Sequence, residues 1–265
     1  MSNGKEWLDA RCFTDAEAVA GRIKGWLLPS EIRFLLVLAA KPTAPGAVVE
    51  LGSFHGKSTA ILAQGTRHTD RPGVVSVDPF DPPERAQNLI RENVDSLVDF
   101  RAQRSGDFWR NWKGAIRLLW HDGANDRATA GEDVRQALPH LSDGAIVAFH
   151  DVRNPSGERL HVFCDHVLAS PHFGVSGVCG TIGWSQYHAN AADAEPHRAA
   201  TDRLRWQLTR LGPYHDLRRT APLSRLEKLR YKLLRWFVPH GEMSARRWRQ
   251  ISQRGVTTRL TAPVS

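Results

Sequence analysis

The sequence predicts an α/β protein with a doubly wound, mostly parallel sheet that carries helices on both faces. Short continuous apolar runs, typical of strands buried on both sides, alternate along the chain with segments of helical apolar spacing. Right-handed crossovers between parallel strands make this sheet the simplest arrangement of those elements. The 265 residues, of which 41% are hydrophobic and 24% charged, exclude a fibrous or disordered chain.

The elements are predicted in order along the chain. Two helices occupy residues 15–40, with a joint at residues 25–29 because Pro29 interrupts the helical spacing. Strands are predicted at residues 47–51, 73–78, 99–104, 116–120, 145–149, 173–178 and 181–187. Further helices are predicted at residues 57–63, 85–98, 132–141 and 159–169. The chain then divides into an N-terminal helical segment (1–45), a sheet domain (46–190) and a basic helical C-terminal extension (191–265).

Neither a membrane span nor a disulfide framework is expected. The longest strongly apolar run, residues 34–40, has seven residues, whereas a helix that crosses a bilayer needs about 20. The first residues alternate charged with isolated apolar side chains, unlike a secretory signal peptide. Cys12, Cys164 and Cys179 are too few and too scattered for a set of disulfides or a zinc site. We therefore expect a reduced, cytoplasmic protein.

The net charge of +8 is concentrated at the C-terminal end of the chain. Residues 201–265 hold 15 Lys and Arg residues against four Asp and Glu residues, whereas the remaining residues hold 21 against 24. The sheet domain is thus slightly acidic and the C-terminal extension strongly basic. Since strong basicity usually indicates an anionic partner, the two parts of the chain are expected to have separate roles.

Glycines and polar residues follow five of the predicted strands, at the edge where doubly wound sheets bind their ligands. One such residue would be ordinary for a loop, but an ordered set at five strand ends predicts a ligand site. The candidates are Glu50, Gly52, Gly56, Asp78, Ser105, Gly106, Asp107, Asp122, His150 and Asp151.

The loop between the first strand and the following helix predicts the kind of cofactor. Glycines at 52 and 56 allow a sharp turn and a close approach of a ligand to main-chain N–H groups. Phe54 stands where a dinucleotide-binding loop carries its middle glycine, which disfavours a pyrophosphate. Asp78 ends the second strand, where a carboxylate can accept both hydroxyls of a ribose. The expected cofactor therefore carries a ribose but no diphosphate.

Four motifs together resemble those of class I S-adenosylmethionine-dependent methyltransferases. They are VELGSFHGKST at 49–59, VSVDP at 75–79, Asp122-Gly followed by Asp133, and GAIVAFHDV at 144–152. More narrowly they are similar to a bacterial branch with a VEIGS-x-x-G-x-ST loop and an HDV strand end, as are residues 25–31. The resemblance covers roughly residues 20–188. It implies a Rossmann-like sheet of seven strands with an antiparallel last strand, and methyl transfer to a small molecule or sugar, often as O-methylation.

The resemblance also implies roles for the candidate residues in binding S-adenosylmethionine. Gly52 and Gly56 would line the methionine part, and Glu50 would support either its amino group or the loop. Asp78 would hold the ribose. The adenine would lie near Ser105, Gly106 and Asp107, and the expected cofactor-binding set is completed by Ser53 and Asp122.

Asp122, His150 and Asp151 occupy the places where metal-dependent relatives of this fold hold a divalent cation such as Mg²⁺. Two catalytic interpretations follow. A cation on Asp122 and Asp151 would acidify the acceptor hydroxyl, or His150 would act as the general base. The branch usually reads Asp-Gly-Asp-His-Ser-Tyr where this chain has residues 122–127 as Asp-Gly-Ala-Asn-Asp-Arg, so the acid at 124 and the histidine at 125 are absent.

Two other functions remain as alternatives. A protein that kept the fold and the cofactor but lost catalysis would fit the altered residues 124–127. A nicotinamide-dependent oxidoreductase would share the sheet and the ribose acid, but the chain lacks the third glycine and a Tyr-x-x-x-Lys pair.

The C-terminal extension contains an amphipathic helix, predicted at residues 224–238. Its apolar face consists of Leu226, Leu229, Leu233, Trp236 and Phe237. Three interpretations remain: this face packs on the sheet domain or in a homo-oligomer interface, or it lies in an anionic membrane surface, or the basic residues bind nucleic acid. Nucleic acid is the least favoured, because no recognised reader motif accompanies the charge. The other expected partner is the small-molecule or glycan acceptor.

Overall fold

Seven strands form a single sheet in the computed structural model, which describes residues 8–155, 158–244, 246–248 and 251. In chain order they are β1 (Ala47–Leu51), β2 (Val74–Val77), β3 (Val98–Arg101), β4 (Ile116–His121), β5 (Leu141–Phe149), β6 (Phe173–Cys179) and β7 (Ile182–Tyr187). Their order across the sheet is β3-β2-β1-β4-β5-β7-β6. The first five strands pair in parallel, and β7 runs antiparallel to both β5 and β6. The predicted mostly parallel sheet with an antiparallel last strand is confirmed.

Eleven α-helices flank the sheet within the described residues. They are α1 (Ala10–Arg22), α2 (Pro29–Ala40), α3 (Lys57–Thr66), α4 (Pro83–Arg91), α5 (Ser105–Asn111), α6 (Arg127–Ala137), α7 (Arg159–Val162), α8 (Ala191–Ala194), α9 (Arg198–Thr209), α10 (Gly212–Thr220) and α11 (Arg225–Phe237). A π-helical segment, Phe163–Leu168, continues α7. None of these helices has the length and apolar character that a bilayer crossing requires.

Alternate residues of the central strands enter two separate hydrophobic clusters. Val48 and Leu118 face one cluster, which includes most of α2 and α3. Val49 and Leu119 face the other, which includes α6 and the π-helical segment. Because side chains of a strand alternate between its faces, these strands are largely apolar on both faces, which is the pattern that predicted them. Glu50 of β1 and Arg117 of β4 are buried exceptions.

Several element boundaries differ from the sequence prediction, and three of these differences have a clear local reason. Helix α4 ends at Arg91, seven residues early, because Asn93 takes a left-handed conformation (φ +54°) that terminates the helix. Helix α6 begins five residues early, because the Asp126 carboxylate accepts a hydrogen bond from Thr129 N. Residues 105–111, expected as strand end and loop, form α5, whose Phe108 is buried.

The C-terminal extension packs on the sheet domain rather than standing apart from it. Helix α9 buries Leu204 and Leu208 beside β6, and Tyr231 of α11 is 8% exposed. The Tyr231 hydroxyl donates to the carbonyl of Arg153 at 2.7 Å, two residues beyond Asp151. At the far end Trp248 is buried in the first cluster, and its Nε1 donates to the carbonyl of Lys41 at 3.2 Å. The extension thus completes the core.

We expect Tyr231→Ala to lower the free energy of unfolding by about 3–5 kcal/mol, because it removes a buried aromatic ring. Tyr231→Phe should cost about 1 kcal/mol, because only the hydroxyl hydrogen bonds are lost. Urea unfolding measures both. Leu229→Ala is the control, since Leu229 lies on the same helix but is 56% exposed. A Tyr231→Ala variant as stable as the parent protein would show that the extension does not support the fold.

Candidate active site

A cavity of about 1410 Å³ opens at the carboxyl ends of β1, β2, β4 and β5. It exceeds the roughly 300–1000 Å³ usual for one small ligand, so a cofactor and an acceptor can lie in it side by side. Its lining contains most of the residues predicted from the sequence, namely Gly52, Ser53, Asp78, Ser105, Gly106, Asp107, Asp122, His150 and Asp151.

Two predicted cofactor-binding residues, Glu50 and Gly56, do not line this cavity. The Glu50 side chain is fully buried, and its carboxylate accepts hydrogen bonds from the hydroxyls of Ser58, Thr59 and Ser76 at 2.6–2.7 Å. Burial raises the pKa of Glu50 to about 7, against the effect of those hydroxyl donors. Glu50 therefore holds the start of α3 against β1 and β2, and of its two expected roles only support of the loop fits. Gly56 serves the same loop, as the left-handed N-cap of α3.

Gly52 brings the loops after β1 and β4 into direct contact. Its φ is +87°, and a Cβ atom at this position would lie 2.5 Å from the backbone nitrogen of Gly123. Backbone atoms cannot yield at that distance, so any side chain would push the two loops apart. The residue must be glycine because of both the conformation and the space.

The Asp78 carboxylate fixes the loop that follows β1. Its Oδ2 accepts from the backbone N–H groups of Ser53 and Phe54 at 2.8 and 2.9 Å, and its Oδ1 accepts from Phe80 N at 2.8 Å. The two loop N–H groups are therefore engaged with an anion of the protein itself and are not available to a phosphate. Because a carboxylate oxygen has two acceptor positions, Oδ1 retains one for a ligand hydroxyl.

Stacked aromatic rings form one wall of the cavity mouth. Phe54 stacks on Trp26 and on Phe80, with ring centroids 6.0 and 5.9 Å apart. Trp26 is 79% exposed and Phe80 51%. Flat exposed rings of this kind can stack on the face of a nucleobase or of another flat apolar ligand. No role was predicted for Trp26 or Phe80, although Trp26 lies within the segment 25–31 and Phe80 directly follows the VSVDP motif.

A cluster of charged side chains forms the inner end of the cavity. Asp122 Oδ1 lies 3.1 Å from His150 Nδ1 and 3.0 Å from Arg159 Nη1. Arg159 Nη1 is also 3.8 Å from Asp151 Oδ2, and His150 Nε2 is 3.6 Å from Glu31 Oε2. Neither Arg159 nor Glu31 was predicted as a site residue. Helix α7 carries no motif for the site, and Glu31 ends the segment 25–31, for which only the resemblance was noted.

The charge of this cluster follows from its geometry. Burial disfavours a charged His150, but Asp122, Glu31 and Asp151 outweigh it and raise the pKa of His150 to about 10. Although burial acts in the opposite direction, the contacts with His150 lower the pKa of Asp122 and of Glu31. His150 is thus an imidazolium at neutral pH and can donate hydrogen bonds but not accept a proton. The general-base role left open for His150 does not fit this ring.

The cluster also does not fit a divalent cation. The Arg159 guanidinium lies between Asp122 and Asp151, where the metal was expected, and its Nη2 donates to the carbonyls of Asp122 and Gly123 at 3.1 Å. In the part of the chain that the structure describes, no group of three or more His, Cys, Asp and Glu side chains is arranged to hold a metal. A hard cation prefers several oxygen ligands, and Ala124 supplies none. The arrangement of Asp122, His150 and Asp151, the residues predicted to hold a metal, therefore does not suit such a cation.

Asp151 also lines the cavity, in the loop that follows β5. Its φ of +61° is uncommon for a residue with a side chain, and such conformations concentrate at functional positions. Oδ1 accepts from Asn154 Nδ2 at 3.2 Å and lies 3.4 Å from the Thr181 hydroxyl. These contacts orient the carboxylate at the cavity wall, in the place the sequence predicted.

Stability should fall as the pH rises from about 6.5 to about 10. The pKa of His150 is higher in the folded than in the unfolded chain. Protonated His150 therefore contributes fully to the free energy of unfolding below its pKa in the unfolded chain, and this contribution is lost as the pH rises to its pKa in the folded chain. Urea unfolding across this range should show a smaller decline for His150→Gln, whereas the exposed His68→Gln should behave as the parent protein. A His150 ring that titrates near 6.5 in an NMR experiment would contradict the assignment.

Comparison with known proteins agrees with the fold. Residues 49–152 match the family model described as "Methyltransferase domain". An O-methyltransferase from Bacillus cereus in complex with SAH is 18% identical, with a TM-score of 0.52 over 68% of this chain and 92% of that chain.

Two further solved structures are similar to the same extent. Cofactor-bound Rv0187 from MTB is 19% identical, with a TM-score of 0.51 over 69% of this chain and 92% of that chain. The O-methyltransferase TomG from Streptomyces achromogenes, involved in tomaymycin synthesis and in complex with SAM, is 18% identical, with a TM-score of 0.50 over the same shares. At such identities the likeness concerns the fold. The match to a methyltransferase domain itself concerns residues 49–152.

Proposed function

We propose that this protein transfers a methyl group from S-adenosylmethionine (SAM) to a hydroxyl group of a small molecule or sugar. The observation that carries the proposal is the cavity over the Gly52 loop, which is lined by the residues expected for this cofactor. The match to a methyltransferase domain supports it. So do two similar structures named as O-methyltransferases, which hold SAH or SAM.

The charges of the cavity support SAM over a dinucleotide. SAM carries a sulfonium, an ammonium and one carboxylate group, and both acidic and basic side chains line the cavity, among them Asp78, Asp107, Lys57 and Arg110. NAD would place a pyrophosphate at the loop after β1, where the Ser53 and Phe54 N–H groups already bind the Asp78 carboxylate. An anion there would meet a carboxylate instead of free donors. We therefore place the ribose at Asp78 and the adenine near Ser105–Asp107.

In the proposed reaction, Asp151 removes the proton of the acceptor hydroxyl. SAM held over Gly52 and Asp78 would supply an electrophilic methyl group, whose carbon–sulfur bond would break in line with the new oxygen–carbon bond and release SAH. The chain's own task is to hold the two reactants in that line and to accept the proton. The inner cluster carries three carboxylates and two cations, and Asp151 is the member of it to which the proposal assigns the proton. No step is assigned to a metal, because Arg159 takes its place.

Gly52→Val should abolish SAM binding, because the added side chain collides with the backbone of residues 122–123. Asp78→Ala should weaken binding by about 1–3 kcal/mol, since it frees the loop and removes a hydroxyl acceptor. Calorimetric titration with SAM, SAH and NAD measures both effects. Gly21→Val is the matched control, because nothing lies within 4 Å of a Cβ atom there. Tighter binding of NAD than of SAM would overturn the cofactor assignment.

Asp151→Asn should reduce methyl transfer by about 10²–10⁴-fold, the usual contribution of a general base, and leave SAM binding close to that of the parent protein. Asn tolerates the left-handed backbone of residue 151, so the loop keeps its shape. Transfer of labelled methyl groups from SAM to a panel of sugars and phenols provides the assay, and Asp70→Asn, on an exposed loop, is the control.

The same assay separates the remaining possibilities. Activity should persist in excess chelator, because the proposed reaction uses no divalent cation. Activity that disappears with chelator and returns with Mg²⁺ would contradict the role given to Arg159. SAM binding without transfer to any acceptor would favour the catalytically altered binding protein that the sequence left open.

A further inference from the structure

The apolar face of α11 is exposed although the helix is packed on the protein. Leu226, Leu229, Leu233, Trp236 and Phe237 are 52–71% exposed. The helix meets the rest of the chain instead through its opposite side, where Tyr231 is buried and Leu234 is partly buried. The described residues therefore leave this face, which we call the α11 stripe, without a covering element.

Exposed large apolar side chains are not scattered over the molecule. Of the twelve in the described residues, seven lie between residues 206 and 237: the five of the α11 stripe, Trp206 and Leu217. Four others line the mouth of the cavity: Trp26, Leu28, Phe54 and Phe80. Arg235 of α11 lines the same cavity from the packed side of the helix. Exposed apolar side chains concentrated in this way indicate a surface that binds another apolar surface.

Basic residues border the stripe on both sides. At 100° per residue, Arg225 and Lys232 lie along one edge of the five apolar side chains and Arg230 along the other, and all three are exposed. Arg210 and Arg230 line a groove of about 430 Å³ between α10 and α11, over an apolar floor that includes Leu217. Glu227 lies in that groove, but its carboxylate accepts from Ser224 N at 2.7 Å as part of the helix cap.

We propose that the α11 stripe seats the protein on the surface of an anionic lipid bilayer. An interfacial helix has an apolar face with Leu, Trp and Phe, bordered by Lys and Arg that reach the headgroups. This pattern is present here, in the segment that carries the chain's excess positive charge. The proposal does not depend on methyl transfer.

The charge pattern argues against the other occupants of the stripe. A second copy packed stripe to stripe about a two-fold axis would place the same basic borders against each other, which is unfavourable. A nucleic acid would engage the basic residues and leave the apolar side chains against a phosphate backbone. An anionic bilayer satisfies both parts of the surface at once.

Cosedimentation with lipid vesicles tests the proposal. Sucrose-loaded vesicles of phosphatidylcholine alone are compared with vesicles that contain about 30% phosphatidylserine, at about 0.1 M and 0.5 M salt. The parent protein should bind only the anionic vesicles, and less at high salt. Leu229→Ser/Trp236→Ser should lose binding at least tenfold. Arg225→Gln/Lys232→Gln should lose about thirtyfold at low salt, from the usual effect of two charges near such a surface.

Matched controls use exposed residues away from the stripe. Ile90→Ser removes an apolar side chain that is 60% exposed on α4, and Arg71→Gln removes an exposed charge. Both variants should bind vesicles as the parent protein does. Because every substituted side chain is exposed, the melting temperature of each variant should stay close to that of the parent protein.

Three results would overturn the proposal. The first is absence of vesicle binding by the parent protein at low salt. The second is a lipid-free dimer, seen by light scattering, that Leu229→Ser/Trp236→Ser dissociates, since the stripe would then join two copies. The third is a large fall in melting temperature for that double variant, since the stripe would then be covered by the chain itself.

Discussion

The backbones after β1 and β4 meet at Gly52, and the whole site is built over that contact. Gly52 N–H donates to the carbonyl of Val77 and Asp122 N–H to the carbonyl of Leu51, each at 2.8 Å, so hydrogen bonds of the sheet continue into the loops. The floor of the cavity is therefore main chain, which keeps its shape when a ligand binds. Asp78 reinforces this floor from β2, because its carboxylate holds two N–H groups of the same loop.

Above that floor, the inner charges depend on one another. A buried charge is costly unless an opposite charge or several hydrogen bonds compensate it. His150 is held as a cation by Asp122 and Glu31, and Arg159 compensates Asp122 and Asp151. Loss of any one member would shift the protonation of the others, since coupled groups titrate as a set. The cluster is best understood as one unit with a shared charge.

The strand order and most of the cavity lining can be predicted from local sequence patterns. The exceptions depend on the direction in which a side chain points and on contacts between residues far apart in the sequence. Glu50 belongs to the VELGSFHGKST motif, but its side chain points away from the cavity, because successive side chains of a strand alternate between its faces. Arg159 is 37 positions from Asp122 and reaches it only because α7 crosses over the end of β4, which no local spacing encodes. The amphipathic pattern of α11 was apparent in the sequence, but a pattern does not reveal which face packs. Here Tyr231, with its hydroxyl hydrogen-bonded, anchors the helix and the apolar stripe faces outward.

The two anchors of the C-terminal extension have a consequence for the order of folding during synthesis. Tyr231 contacts the carbonyl of Arg153 across 78 positions, and Trp248 contacts the carbonyl of Lys41 across 207. Neither contact can form until its later residue has left the ribosome. The helical layer around α2, made early, therefore waits for the last turns of the chain, and contacts of such long sequence separation slow folding. During that interval the nascent sheet exposes apolar surface that the finished protein covers, which makes chaperones a natural part of its biogenesis.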